Sequence, residues 1–291
     1  MYMKQLTLIL AILYFLSGCA FAQDNANIAA TTLPVYEFTS RLCEGTGLTV
    51  TRLVTENVSC LHDYTLKVEQ MRAIEAADLV VINGSGLEEF LEGALDASQS
   101  VLDSSEGMSL LEGHHHDHDH EEGRAHAEDP HIWLSPSNAK AMASNICAGL
   151  SAKFPSYASV FETNLAALLS DLDKLQAYGE RELSSLSCRE LITFHDGFGY
   201  FAESFDLTIL RAVEEESGSE ASAAEIIDLV EEVRHHALPA IFTERNGSVS
   251  AAGIIAAETG VKVFALDMAM SGTGYFDSMY QNIHTVKEAL Q

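Results

Sequence analysis

The chain has 291 residues, 47% of them hydrophobic, and a formal charge of −27 from 43 acidic and 16 basic side chains. That balance excludes a nucleic-acid-binding surface, which needs Lys and Arg to neutralise phosphate. Once a leader is set aside, about 270 residues remain, enough for two domains of ordinary size.

The first segment reads as that leader, over residues 1–22. Lys4 supplies a positive start, and Leu6 to Leu16 is almost wholly apolar. The run is too short to span a bilayer as a stable helix. Leu16-Ser17-Gly18-Cys19 reads as a lipobox, in which Cys19 is acylated and tethers the body to a membrane. Ala20-Phe21-Ala22 offers ordinary signal cleavage as the competing reading. Either way the expectation is an exported, bacterial-style protein, lipid-anchored at the cell membrane or periplasmic.

The body then alternates strand and helix. Asn27 to Leu33 is β-prone, Val35 to Cys43 helical, and Leu48 to Val54 a strand. Tyr64 to Ala77 is an amphipathic helix with Leu66, Met71, Ile74 and Ala77 on one side. Asp78 to Gly84 is a continuous apolar strand ending in a Gly turn, and Leu87 to Leu95 is helical. This order implies a parallel sheet with right-handed crossovers.

Next comes His114-His115-His116-Asp117-His118-Asp119-His120, with Glu121, Glu122 and His126 close behind. Seven of the twelve histidines lie between positions 114 and 131. The tract has nothing apolar to pack, so it reads as a solvated loop over 112–128 that binds divalent transition metals.

Pro136 to Phe154 is helical, with Ser135 as N-cap and Pro136 at the first helical position. Ser156 to Leu186 is the longest helical pattern, with Phe161, Leu165, Leu168, Leu172 and Leu175 at three- and four-residue steps. Strands at Leu191–Phe194, Leu238–Thr243 and Val261–Leu266 then alternate with helices at Ala221–Ala237 and Ser248–Thr259. Tyr275 to Leu290 closes the chain as a helix. The expected architecture is α/β: an N-terminal lobe (23–155), a linking helix (156–187) and a C-terminal lobe (188–291), each lobe a parallel sheet with flanking helices. Four cysteines follow the leader, an even number that permits disulfides in an exported protein. Cys43–Cys147 is the pairing expected if one forms, since both sit on helices that run back from the cleft. No C-x-x-C pair supports a thiolate zinc knuckle.

Ligands of parallel sheets sit beyond the carboxyl ends of the strands. His62, His195 and Asp267 follow such ends and His131 follows the His-rich segment, so three imidazoles and a carboxylate occupy corresponding ends of elements in both lobes. Such a set suits tetrahedral Zn2+. Asp63 and Asp196 directly follow ligand histidines and could orient the rings or cap helices. Cys60 is a candidate extra soft ligand, and Glu244 ends a strand near the cleft. His235-His236 at a helix end favours the dipole's negative pole.

At these positions the sequence resembles the zinc-binding lipoproteins of cluster-A metal ABC transporters, over essentially the whole mature chain. Cys60-Leu61-His62-Asp63-Tyr64 is similar to the family's first-ligand motif. Asp129-Pro130-His131-Ile132-Trp133-Leu134-Ser135-Pro136 matches the second closely, and Thr193-Phe194-His195-Asp196-Gly197-Phe198-Gly199-Tyr200-Phe201 resembles the third. Leu266-Asp267 falls at the fourth position, but continues Met268-Ala269-Met270 where the family often has Pro. The resemblance implies two lobes joined by a rigid helix, capture of Zn2+ in the cleft between them, and delivery to an ABC-transporter membrane permease. It implies a monomeric binding protein, not an enzyme. His195 points to zinc, because manganese- or iron-carrying relatives typically have a carboxylate there. Alternatives are a manganese or iron carrier of the same class, a zinc hydrolase built on the same histidines, and a storage or adhesion lipoprotein in which the loop matters more than the cleft.

Overall fold

The computed structural model describes residues 25–56, 61, 64–95, 98–113, 128–214, 221–270, 272 and 274–291. In the N-terminal lobe, β1 (Asn27–Ala30), β2 (Thr49–Arg52), β3 (Leu79–Ile82) and β4 (Val101–Asp103) form a sheet in the order β2-β1-β3-β4. In the C-terminal lobe, β5 (Glu190–His195), β6 (Thr208–Glu214), β7 (Ala240–Glu244) and β8 (Lys262–Leu266) form a second sheet in the order β6-β5-β7-β8. All strand pairs are parallel. Parallel neighbours require crossovers. Helices α1 (Leu33–Leu42) and α2 (Val68–Glu75) supply two of them in the first lobe. The long α3 (Pro136–Lys153) and α4 (Ala158–Glu182) follow, then α5 (Gly199–Ser204), α6 (Ala223–His236) and α7 (Ser250–Thr259) between the strands of the second lobe. The chain ends in α8 (Tyr275–Leu290).

The 25 residues of α4 extend about 37 Å at 1.5 Å per residue. Phe161, Leu168, Leu172 and Leu175 are fully buried along it, and it packs against α1, α3 and α8. One hydrophobic core therefore runs through both lobes, from Phe38 and Trp133 to Tyr200, Phe201, Tyr275 and Met279. Successive strand residues point to opposite faces of a sheet. Leu79 and Val81 accordingly enter this shared core, while Val80 packs on the outer face with Leu53, Ile74 and Leu91. In β5, Leu191 faces the shared core, and Ile192 and Phe194 meet Leu229, Val233 and Ile255 of α6 and α7. Covering both faces in this way is the usual condition of a parallel sheet.

The structure departs from the sequence reading at several points. Leu87–Leu95 is not a helix. It contains one tight 3-10 turn, Glu89–Leu91, and Gly93 follows in a left-handed conformation at φ +78°. Helical continuation is prevented because the Glu88 side chain folds back onto the end of β3. Its Oε1 accepts from Asn83 N at 2.7 Å and its Oε2 from Gly84 N at 3.0 Å. The helix expected from Tyr64 begins four residues later, where Gln70 Oε1 accepts from Lys67 N at 2.7 Å. Met71, expected on its inner face, is 50% exposed, and Gln70 is buried in its place. Strands β4 and β6 and the short α5 were not anticipated. Cys43 and Cys147 are both buried free thiols rather than a disulfide, and Cys188 is also free. Burial pushes the Cys43 thiol up to about 12, which keeps it protonated and unreactive.

Candidate metal centre

Two of the expected ligands meet. His195 is the last residue of β5, at its carboxyl end. His131 precedes the 3-10 turn Ile132–Leu134, whose three side chains are fully buried, and α3 starts directly afterwards. Ser135 caps that helix by accepting from Asn138 N at 3.3 Å, with Pro136 in the first turn, as the sequence led us to expect. Both imidazoles are 2% exposed. Their Nε2 atoms lie 3.3 Å apart, with the rings edge to face at an interplanar angle of 86°.

The far side of each ring faces a carboxylate. Asp129 Oδ1 lies 2.7 Å from His131 Nδ1 and also accepts from His131 N at 2.9 Å. Glu244 Oε1, at the end of the neighbouring β7, lies 3.7 Å from His195 Nδ1. A carboxylate on Nδ1 holds the proton there and leaves the Nε2 lone pair free for a metal. With Zn–N bonds of about 2.0–2.1 Å and tetrahedral angles, two ligand nitrogens stand about 3.3–3.4 Å apart. The observed separation of the two Nε2 atoms matches that value. Gly197 keeps this face open, since a Cβ there would come within 3.0 Å of His195 Nε2 and 2.6 Å of Met268 Cε.

Asp267 follows β8 and is 4% exposed. Its backbone is clamped to α8 by Asn282, which accepts from Asp267 N at 2.8 Å and donates to Asp267 O at 2.7 Å. Its Oδ1 accepts from Ala269 N at 2.8 Å, and its Oδ2 lies 3.2 Å from Arg245 Nη1. The segment after it is tied to the other lobe. Trp133 Nε1 donates to Met268 O at 2.7 Å, Arg52 Nη2 donates to Met270 O at 2.7 Å, and Tyr275 OH donates to Trp133 O at 2.8 Å. Among the described residues no group of three or more His, Cys, Asp or Glu is close enough to hold a metal. The two histidines form a pair, and Asp267 stands apart from it against Arg245.

His62, Asp63 and Cys60 lie outside the described residues, as do His114, His115, His116, His118, His120, His126 and Cys19. The tract that carries the six loop histidines leaves and returns through an antiparallel bridge between Glu112 and Glu128, and Asp129 N donates to Leu111 O at 2.9 Å. The tract is therefore rooted next to His131. Glu244, read from the sequence only as ending a strand near the cleft, is the carboxylate that faces Nδ1 of His195. The reading missed Asp129, although Asp-Pro-His places a carboxylate two residues before the ligand, where it can accept from both the backbone and the ring of His131. A deeper support was also missed. Glu88 accepts from Thr31 Oγ1 at 2.6 Å besides its two backbone donors, and Asn83 Nδ2 donates to Pro130 O at 3.0 Å. The carbonyl preceding His131 is thus anchored to the ends of β1 and β3. Tyr200 adds a brace from the second lobe, donating to Asp129 O and accepting from Leu111 N, both at 2.9 Å. His236, at the last turn of α6, pairs with Glu190 at 2.9 Å, remote from this cluster.

Two parallel-sheet lobes share one long helix, and an imidazole pair joins the carboxyl end of β5 to the turn before α3, the arrangement of a two-lobed binding protein. The sequence as a whole says which: residues 28–289 match the model of the zinc-uptake complex component A periplasmic family, ZnuA, and the chain belongs to that family of uptake components, not enzymes. It is 32% identical over 309 residues to the zinc-binding lipoprotein AdcA of Streptococcus pneumoniae, covering 98% of this chain but 61% of that protein. The chain therefore spans about three fifths of that relative's length. It is 31% identical to the high-affinity zinc uptake system protein ZnuA of Bacillus subtilis, covering 92% of this chain and 88% of that one. A crystal structure of ZnuA superposes with a TM-score of 0.81 at 30% identity, covering 92% of this chain and all of the other.

Proposed function

We propose that this protein captures Zn2+ outside the cytoplasm, in the cleft between its lobes, and delivers it to the membrane permease of an ABC uptake system. His131 and His195 bind through Nε2, Asp129 and Glu244 hold the ring protons on Nδ1, and His62 and Asp267 complete an N3O shell. The 3.3 Å separation of the two Nε2 atoms carries this reading, because it is the spacing that tetrahedral zinc imposes on two imidazoles. The zinc-binding descriptions of the streptococcal and Bacillus relatives support the choice of metal. The chain acts as a monomer, tethered to the membrane through acylated Cys19 if the lipobox is processed as read. The histidines of the tract at 114–126 collect metal weakly next to the cleft, since ordering a polar segment around an ion costs about 1 kcal/mol or more per residue fixed.

The reading is tested by elemental analysis of the purified protein and competition among Zn2+, Mn2+ and Ni2+. One tightly held zinc per chain that Mn2+ cannot displace is expected. Preferential retention of Mn2+, or no metal bound at micromolar concentration, would refute it.

A further inference from the structure

Arg245 follows β7 directly, one residue beyond the Glu244 that faces His195. Its guanidinium contacts Asp267, and the two partners are very unequal: the Asp267 side chain is 4% exposed and that of Arg245 is 52% exposed. Asp267 Oδ1 is committed to Ala269 N. Oδ2 is buried and makes no hydrogen bond of regular geometry, so its contact with Arg245 at 3.2 Å is ionic only. A buried carboxylate needs a cation or a set of donors. Here the guanidinium supplies the charge from the solvent side, on a flexible stem, and without the paired hydrogen bonds that make Arg–carboxylate contacts strong.

We propose that Arg245 is a built-in competitor for the metal: it neutralises Asp267 Oδ2 in the metal-free protein and swings into solvent when a divalent cation takes that oxygen. This rests on the reading of Asp267 as the fourth ligand. The exchange needs no proton transfer, and the Asp267 backbone is held by Asn282. It lowers the apparent affinity by the fraction of molecules in which the carboxylate is free. It also gives the departing metal a ready replacement, which suits a site that must release its cargo.

The test is Zn2+ competition against a chromogenic chelator, using the full chain and four variants: Arg245→Ala, Arg245→Lys, Asp267→Asn and the Arg245→Ala/Asp267→Asn double variant. Asp267→Asn keeps an acceptor for Ala269 N. Arg245→Ala should bind Zn2+ about two- to fivefold more tightly than the parent, the scale of one partly exposed ion pair. Arg245→Lys should stay within about twofold of the parent by the same scale. Asp267→Asn should bind more weakly, and adding Arg245→Ala to it should change nothing further. An Arg245→Ala protein with equal or weaker affinity, while Asp267→Asn is impaired, overturns this inference and leaves the ligand reading intact. Unimpaired zinc binding by Asp267→Asn overturns both. Tightening by Arg245→Ala that persists in the Asp267→Asn background shows a general charge effect and likewise overturns the inference.

Discussion

Replacing Asp129 by Ala removes both interactions that aim the His131 ring. Asp129 Oδ1 accepts from His131 N at 2.9 Å and faces its Nδ1 at 2.7 Å. Without the carboxylate nothing fixes the ring proton on Nδ1, and it can settle on Nε2, where it blocks the metal. Loss of such a partner behind a ligand typically weakens metal binding 10- to 100-fold, or about 1.4–2.8 kcal/mol. A second effect falls on the metal-free fold, because His131 N is left buried without an acceptor, which costs about 1–3 kcal/mol. The two are separable. Zinc competition gives the change in affinity, and urea unfolding in excess chelator gives the change in stability. Asp129→Asn keeps an oxygen that can accept both hydrogens but lacks the charge, so it should fall between the parent and Asp129→Ala in both assays. An Asp129→Ala protein whose zinc affinity lies within twofold of the parent would refute the tautomer argument.

Other consequences can be checked separately. Burial pushes Glu88 up to about 7, and nearby Asp103 adds to the shift against the pull of Thr31, Asn83 and Gly84. The folded state therefore binds more protons than an unfolded chain, whose carboxyl titrates near 4.5, and this group makes stability fall as pH rises from about 4.5 to about 7. Glu88→Gln should flatten that slope by up to about 3 kcal/mol between pH 4.5 and 7.5, measured by urea unfolding; an identical slope would contradict the assignment. Trp133→Phe leaves Met268 O without its donor and opens space in the shared core, so unfolding free energy should drop by about 2–4 kcal/mol. Zinc binding should weaken with it, because Met268 follows Asp267; equal stability would show that this bond between lobes contributes little. Deleting Gly113 to Ala127 should leave one tight zinc and abolish the weaker ones in isothermal titration, whereas loss of the tight site would place the metal in the tract.

The periodic parts of this fold are legible in the sequence. Phe161, Leu168, Leu172 and Leu175 announce α4 by spacing alone, and Leu79–Ile82 reads as a buried parallel strand because every side chain is apolar. Strands β4 and β6 escape for opposite reasons. Val101–Asp103 is too short for a period to develop, and Thr208–Glu214 mixes Arg211 into a sheet edge. The helix expected over Leu87–Leu95 fails because a tertiary bond, the return of Glu88 to Asn83 and Gly84, outweighs local propensity. The same bond supports the site. His195 and Asp267 are visible as polar residues at strand ends and His131 through its Asp-Pro-His motif before a helix, and the two histidines do meet. Their partners are harder to read, because Glu244 and Arg245 act through a neighbouring strand of the sheet. Only the order β6-β5-β7-β8 puts β7 beside β5 and β8, and so brings these two residues to His195 and Asp267.

The central claim is that zinc is held at the convergence of His131 and His195. The most direct measurement is the zinc affinity of His131→Ala, His195→Ala and His235→Ala proteins, each lacking Gly113 to Ala127 so that the tract cannot contribute. The first two should lose at least about a hundredfold, more than an orienting partner is worth. His235→Ala should match its parent, since His235 sits in the last turn of α6, away from the site. Equal affinities across all three would contradict the account.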